Sequence, residues 1–413
     1  VTSTVRTQVA IVGAGPAGLI LSHLLAQSGI ESVILDRRSR EEIESTIRAG
    51  ILEQDTVDLL ASIPGSRAHT VGSRHDGIEL RFDGVGHRID FAGLVSRSVW
   101  LYPQHEALKD LLAARLAAGQ DIRFRATAHA VEDIDSERPR IVARDDAGAE
   151  LDVEADFVVG ADGSRSVVRS ALSGSHAGYF REYPFGWFGI LTEAPPSADE
   201  LIYSNSPDGF ALISQRSETV QRMYFQCDPH MDADSMNDQQ IWETLDRRVP
   251  GVELKKGPIF QKGVVPFRSF VARDLQRGRI AIVGDAAHTV PPTGAKGMNL
   301  AVADVVVLAR ALEALLGRSD SGPIDSFADE ARKRIWKAQH FSWWMTSMLH
   351  QIPDASEYDR LRQLGELRSV VDSEHGRAYL AEAYTGWPMD LGAAIGSAAP
   401  ASSAADLLTR RAS

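Results

Sequence analysis

Gln8-Val9-Ala10-Ile11-Val12 runs without a break into Gly13-Ala14-Gly15-Pro16-Ala17-Gly18, and this stretch decides the fold. The apolar run before the glycines reads as a buried strand. Leu19, Ile20, Leu24 and Leu25 then recur at helical spacing, up to a stop at Ser28-Gly29. A second strand over 32–35 ends in the acid Asp36. Strand, Gly-x-Gly-x-x-Gly turn, helix, strand and an acid about twenty residues on form the full setting of a dinucleotide-binding turn. Gly13 makes the tight turn, Gly15 lets backbone approach a pyrophosphate, and Gly18 lets helix and strand pack closely. Asp36 can accept from a ribose hydroxyl. The turn alone leaves NAD and FAD equally open.

Two distant segments repeat the theme. Asp156-Phe157-Val158-Val159-Gly160 ends in Ala161-Asp162-Gly163 and opens a helix with Arg165 and Arg169 nearby. Alone, Asp-Gly is an ordinary turn. The strand over 280–283 leads into Gly284-Asp285-Ala286-Ala287-His288, then Pro291-Pro292-Thr293-Gly294-Ala295-Lys296-Gly297-Met298-Asn299 and a long apolar helix. Such a helix start can hold an anion or an electron-rich ring. The three segments, in this order, resemble those of the group A flavoprotein aromatic hydroxylases. That resemblance implies FAD as the cofactor, with NADH or NADPH as the electron-donating co-substrate.

Further blocks narrow the resemblance to the 4-hydroxybenzoate-hydroxylating branch of that family. They are Arg48-Ala49-Gly50-Ile51-Leu52-Glu53-Gln54, Tyr183-Pro184-Phe185-Gly186-Trp187, Ser214-Gln215-Arg216-Ser217, and Arg334 through Ser347. The match runs from about residue 7 to Pro388. It implies a mixed α/β architecture whose Rossmann-like FAD-binding domain is assembled discontinuously from 1–75, 97–180 and 265–320. A substrate-binding antiparallel sheet is expected from 76–96 and 181–264, a helical C-terminal region over 321–391, and a flexible tail over 392–413. The implied reaction uses O2 to place a hydroxyl at the 3-position, giving 3,4-dihydroxybenzoate, by attack of a phenolate on a flavin hydroperoxide. A homodimer in the cytoplasm is expected.

The resemblance also assigns site residues. Arg216 takes the substrate carboxylate, with Ser214, Gln215 and Tyr224 beside it. A planar guanidinium suits a carboxylate, and strand alternation puts Ser214 and Arg216 on one face. Tyr203 meets the substrate hydroxyl, Tyr384 meets Tyr203, and His75 lies further out on a proton relay. The carbonyl of Pro292 faces the phenol. With an ordinary pKa near 10, a tyrosine here is a conduit rather than a base. Around the flavin, Asp36 takes the adenosine ribose and Arg48 and Gln104 the pyrophosphate side. Asp162 and Gly163 belong to the middle segment. Asp285 takes the ribityl chain, and Gly297, Met298 and Asn299 lie by the isoalloxazine. Glu53 and Lys296 form a charge pair that tunes the ring or substrate entry.

One stretch departs from the family pattern. NADPH-dependent members carry tyrosine and arginine contacts to the 2′-phosphate where Glu42 and Thr46 stand here, with Glu41 and Glu44 adjacent. Carboxylates repel a phosphate dianion by roughly a kcal/mol each when partly exposed; Arg37 and Arg38 pull the other way. NADH is therefore the expected donor. Arg165, where relatives often carry histidine, either binds the coenzyme pyrophosphate with Arg268 and Arg48 or sits plainly at the surface.

Composition bounds the alternatives. A net charge of −12 over 413 residues argues against nucleic acid or an anionic membrane as a main partner. One cysteine, Cys227, rules out a disulfide framework within the chain and suits a reducing compartment. The first apolar run is strand-length, so neither a signal peptide nor a membrane span is expected. No metal site is expected, since His105-Glu106 lacks the second histidine of a zinc helix. Hydroxylation of a related hydroxybenzoate is the nearest rival function. A flavin halogenase would need a Trp-x-Trp-x-Ile-Pro segment, which is missing. A non-enzymatic nucleotide-binding protein would leave Tyr203, Arg216, Tyr224 and Tyr384 unexplained.

Overall fold

A computed structural model describes residues 3–46, 50–173 and 178–392. Its first sheet runs Gln276–Arg277, Ile280–Ile282, Glu150–Gly160, Ser3–Val12, Ser32–Asp36, Ile122–Phe124. The last five strands in that order are mutually parallel. Val9–Val12, Phe157–Val159 and Ile280–Ile282 are buried on both faces, as a sheet covered by helices on either side requires. Val12 stands opposite both Gly160 and Leu35, and Gly160 opposite Ile282. The three glycine-bearing turns therefore leave the sheet at one level, side by side at the carboxyl ends of parallel strands, where ligands bind in open α/β sheets.

Helix Pro16–Gln27 starts with proline at its first position and packs against the long helix Gly297–Arg318. Gly284 touches both helices, and its absent side chain leaves room for Ala17 and Ala301. Strands Ala126–Glu132 and Arg140–Asp145 extend the sheet as an antiparallel flap on Glu150–Gly160.

The second sheet runs His288–Thr289, Ile259–Ala272, Gly178–Glu193, Val220–Cys227, Gly209–Gln215, Leu201–Ser206, Gly77–Phe82, Val85–Asp90. All its pairings are antiparallel except Leu201–Ser206 with Gly77–Phe82. Both faces are covered, so alternate residues enter different cores. Trp187, Tyr203, Leu212 and Tyr224 pack with Phe341, Met345 and Tyr384 of the C-terminal helices Gly322–Leu349 and Glu374–Thr385. Phe188, Ile190, Ile213, Met223 and Phe225 face helix Asp238–Arg248 instead. Each such side chain contributes about 1.5–3 kcal/mol on burial. Boundaries expected at 180/181 and 264/265 both fall inside single strands, Gly178–Glu193 and Ile259–Ala272. An irregularity in their pairing between Glu182 and Gly186 marks a bulge within this long ladder. A short third sheet joins Ile51–Glu53, Val99–Leu101 and Ser73–His75. Among the described residues, no helix is long and apolar enough to cross a membrane. The expected tail, beyond Gly392, lies outside the described residues.

Candidate active site

The three turns are built to enclose a dinucleotide. Gly13 has φ +110°, and a side chain there would collide with the Ala161 carbonyl of the second turn. A side chain at Gly18 would collide with the Gly13 carbonyl, whereas Gly15 faces open space. That open side is the cradle a pyrophosphate needs at the start of helix Pro16–Gln27. Asp162 is engaged by Ser166 Oγ at 2.5 Å and by the Val167 amide at 2.7 Å, so its carboxylate shapes the turn rather than pointing freely outward. Arg169 spans the second and third turns, donating to the carbonyls of Ser164 and Ala286.

Asp36 lies where a ribose would be held, but its carboxylate is fully engaged. It accepts from the amides of Ala14 and Arg38 and from Nε and Nη2 of Arg38. A carboxylate offers about four acceptor positions, so a ribose hydroxyl must displace the Arg38 side chain. Gln104 is buried at the start of helix Gln104–Ala117. Arg48 lies outside the described residues.

The third turn is held by a pair that sequence reasoning missed. His288 Nε2 lies 2.5 Å from Asp304 Oδ2, and the same oxygen accepts the Gly284 amide at 3.0 Å. Both side chains are buried. Burial opposes charge on His288, but the carboxylates of Asp304 and Asp285 outweigh it and raise its pKa. The histidine of Gly-Asp-Ala-Ala-His thus fixes the turn that presents Asp285. Its partner sits sixteen residues on, inside a helix whose pattern is otherwise plain core. Gly297 and Met298 open that helix and stay half-buried. Asn299 is committed to structure: it binds the Glu53 amide and the carbonyls of Ile51 and Ala295.

Beside this turn is a buried polar cluster. The Tyr203 and Tyr384 hydroxyls are 2.6 Å apart and 1 % exposed. Burial raises the pKa of both, and the Gly294 amide reaches the Tyr203 hydroxyl from the proline-rich turn. Pro292 is exposed, and its carbonyl accepts from the Ala295 amide at 3.0 Å. Lys296 donates to Glu53 at 2.6 Å and to the Tyr384 carbonyl at 3.1 Å, with both charged groups buried. Desolvation lowers the lysine pKa against the pull of Glu53.

The register of the second sheet lines up Tyr203, Leu212 and Tyr224 as cross-strand neighbours on one face. Ser214 is two residues further along from Leu212, and Arg216 follows at the hairpin. Arg216 is half-buried beside the Tyr224 hydroxyl, and its Nε has no partner among the described residues. Arg222 lies over the Tyr224 ring, its Nε also without a partner. Arg216 and Arg222 thus each keep a buried Nε–H without an acceptor among the described residues beside one tyrosine, which is donor chemistry suited to an anion. Ser214 donates to the Arg222 carbonyl at 2.7 Å, so its hydroxyl must rotate to serve a ligand. Tyr224 packs on Trp187, whose indole donates to His350 Nε2 at 2.7 Å; nothing local in the sequence marked His350. His75 meets Gln215, and no hydrogen bond among the described residues joins it to Tyr384.

On the coenzyme side, Arg268 reaches Ser164 Oγ at 3.3 Å, next to exposed Arg165. Arg37 is exposed. Glu42 closes a capping box with Ser39 at the start of helix Arg40–Glu44.

Comparison with known proteins agrees with this geometry. Residues 6–342 match the FAD binding domain family. The p-hydroxybenzoate hydroxylase of Acinetobacter baylyi is 40% identical over 394 residues, covering 94% of this chain and 97% of that protein. A 3-(3-hydroxy-phenyl)propionate/3-hydroxycinnamic acid hydroxylase of Burkholderia vietnamiensis is 27% identical over 344 residues, 79% of this chain and 60% of its own length. Among solved structures, p-nitrophenol 4-monooxygenase of Pseudomonas putida superposes with a TM-score of 0.78 at 19% identity, covering 94% of this chain and all of that one.

Proposed function

The chain belongs to the group A flavoprotein aromatic hydroxylases and is an FAD-dependent aromatic monooxygenase, and from that premise we propose that it converts 4-hydroxybenzoate to 3,4-dihydroxybenzoate with NADH as the preferred donor. The observation that carries the substrate is the open Arg216 fork beside Tyr224, on the sheet face that also bears Tyr203. Tyr203 and Tyr224 stand two strand spacings apart, about 10 Å along the sheet, with Leu212 as the floor between them. Arg216 neutralises the carboxylate and Tyr203 receives the hydroxyl at the other end.

FAD, when bound, supplies the electrons and oxygen chemistry. The chain's own residues prepare the phenol. Tyr203 and Tyr384, neutral at pH 7 as ordinary tyrosines are, are pushed still further from ionisation by burial. They accept and pass on the phenol's proton rather than holding it. Buried Lys296, paired with Glu53 and donating to the Tyr384 carbonyl, fixes the backbone that carries Tyr384 against Tyr203.

The donor preference is supported by the loop after Asp36. Glu42 turns its carboxylate onto the Ser39 amide, where a 2′-phosphate would otherwise find a donor. Arg40 is engaged by Glu44. The test uses the FAD-loaded protein: 4-hydroxybenzoate should stimulate NADH oxidation and 3,4-dihydroxybenzoate should accumulate. Stimulation that yields only hydrogen peroxide makes the ligand an effector and sinks the substrate assignment. A higher kcat/KM with 3-hydroxybenzoate transfers it to that acid, and a higher kcat/KM with NADPH overturns the donor assignment.

A further inference from the structure

We propose that Gln215 is a positioning residue of the proton path, its side-chain amide orienting His75 so that Nδ1 is the atom that gains and loses the proton. The inference rests on the hydroxybenzoate reading and on the relay to His75 that the family resemblance implies, because the proton concerned is that of the bound phenol. Family resemblance places Gln215 among the substrate ligands; the geometry turns it elsewhere. Neighbours along a strand point to opposite faces, so Gln215 leaves the face carrying Ser214 and Arg216. Its Nε2 lies 3.2 Å from His75 Nε2.

His75 is 2 % exposed at the end of strand Ser73–His75, and its Nδ1 has no partner among the described residues. A buried nitrogen left in that condition is destabilising. An exchange site in a proton path must keep such an atom open. A side-chain amide suits the other nitrogen because it carries both a donor and an acceptor, interchanged by a half-turn. Its N–H serves a bare Nε2, and its carbonyl serves Nε2–H. With the carbonyl turned inward, Nε2 keeps its hydrogen and Nδ1 offers a lone pair. The phenol's proton adds there to give the imidazolium and leaves from the same atom to restore the neutral ring.

The charged surroundings suit a transient cation. Asp76, on the same segment, and Asp199 and Glu200, ahead of strand Leu201–Ser206, all favour the imidazolium. Asp76 is held by Arg74 and Ser98, and Glu200 by Arg88. Burial prevails over these carboxylates and keeps the ring neutral at rest.

The test compares Gln215→Leu and Gln215→Glu with the wild type, all FAD-loaded. Phenolate formation is followed by stopped-flow absorbance on mixing with 4-hydroxybenzoate, and Kd by titration. Gln215→Leu should ionise the phenol on the order of tenfold more slowly, with Kd within about threefold because Arg216 and Tyr203 are untouched. Gln215→Glu should restore the rate and shift the kcat pH profile upward by about one unit, since a carboxylate stabilises the imidazolium. Unchanged rates and profiles in both variants overturn the proposal. A tenfold loss of affinity with normal ionisation also overturns it, by making Gln215 a substrate ligand. Should the wild type not ionise 4-hydroxybenzoate, the substrate reading fails, and the His75 imidazole resonance still decides. Assigned by its loss in His75→Asn, it must titrate higher in Gln215→Glu; an unmoved titration sinks the role of Gln215.

Discussion

Arg216 holds a half-buried charge whose Nε has no partner among the described residues, and burial lowers its pKa. Replacing its planar fork with an ammonium removes bidentate binding while keeping the charge. Arg216→Lys should therefore raise KM for 4-hydroxybenzoate by roughly 10- to 100-fold, about 1.4–3 kcal/mol, with kcat within a few fold. Steady-state kinetics checks this, and an unchanged KM places the carboxylate elsewhere. His350 shows what a residue-by-residue reading misses. It is buried among Trp187, Phe185, Phe210 and Phe267, and burial pushes its pKa down to about 3. Its partners are the Trp187 indole, 163 positions away, and the Thr346 carbonyl, so only folding reveals it. A folded pKa below the unfolded value near 6.5 gives stability that is complete above pH 6.5 and lost as pH falls toward 3. The loss is on the order of 1.4 kcal/mol per pH unit once the unfolded imidazole is charged. Denaturant midpoints measured between pH 7 and 4 should fall less steeply in His350→Gln than in the wild type; parallel curves would exclude His350 as the source.

At the scale of elements, legibility followed locality. The strand-turn-helix units at Gly13 and Gly284 were readable because a continuous apolar run, a glycine turn and a helical period are neighbours in sequence. The hairpin around Arg216 is legible in Arg216-Ser217-Glu218, a turn signal between the strand-like runs 210–214 and 221–226. What escaped was what depends on distant partners: the bulge inside Gly178–Glu193, the parallel pairing of Leu201–Ser206 with Gly77–Phe82, and the Asp304 clamp on Gly284. The substrate side was recognised through family resemblance, since no spacing rule singles out Tyr203 or Tyr384. Helix Arg40–Glu44 offers the sharpest test at this scale. Its capping box sets Glu42 against the helix start, so Glu42→Tyr combined with Thr46→Arg removes a repulsive carboxylate and adds a cation. The ratio of kcat/KM for NADPH over NADH should rise tenfold or more. A ratio unmoved by the double substitution would mean that the coenzyme does not reach this helix.

At the scale of the whole molecule, one surface is out of keeping with the rest. Tyr179, Phe180, Trp336 and Trp343 are 54 %, 60 %, 47 % and 39 % exposed and border a groove of about 270 Å³ with Tyr183, Phe270 and His340. Large exposed apolar patches on soluble proteins mark contacts. The homodimer that the family resemblance implies would bury this face between two copies of the chain. The net charge of −12 makes two copies repel in general, so the attraction must come from the apolar contact itself; at its rim Arg181 and Arg273 lie over the Tyr183 and Tyr179 rings. Tyr179, Phe180, Trp336 and Trp343 from each copy bring eight partly exposed aromatic side chains across a twofold axis, and covering them supports a stable pair if the surrounding surface approaches the usual ~800 Å² per partner. The FAD-loaded wild type should therefore sediment as a dimer. Phe180→Glu with Trp343→Glu places four carboxylates across the axis and should give a monomer that stays yellow, since neither residue belongs to the three nucleotide turns. A dimer that survives both substitutions, or a wild type that is monomeric at micromolar concentration, would remove this face as the interface.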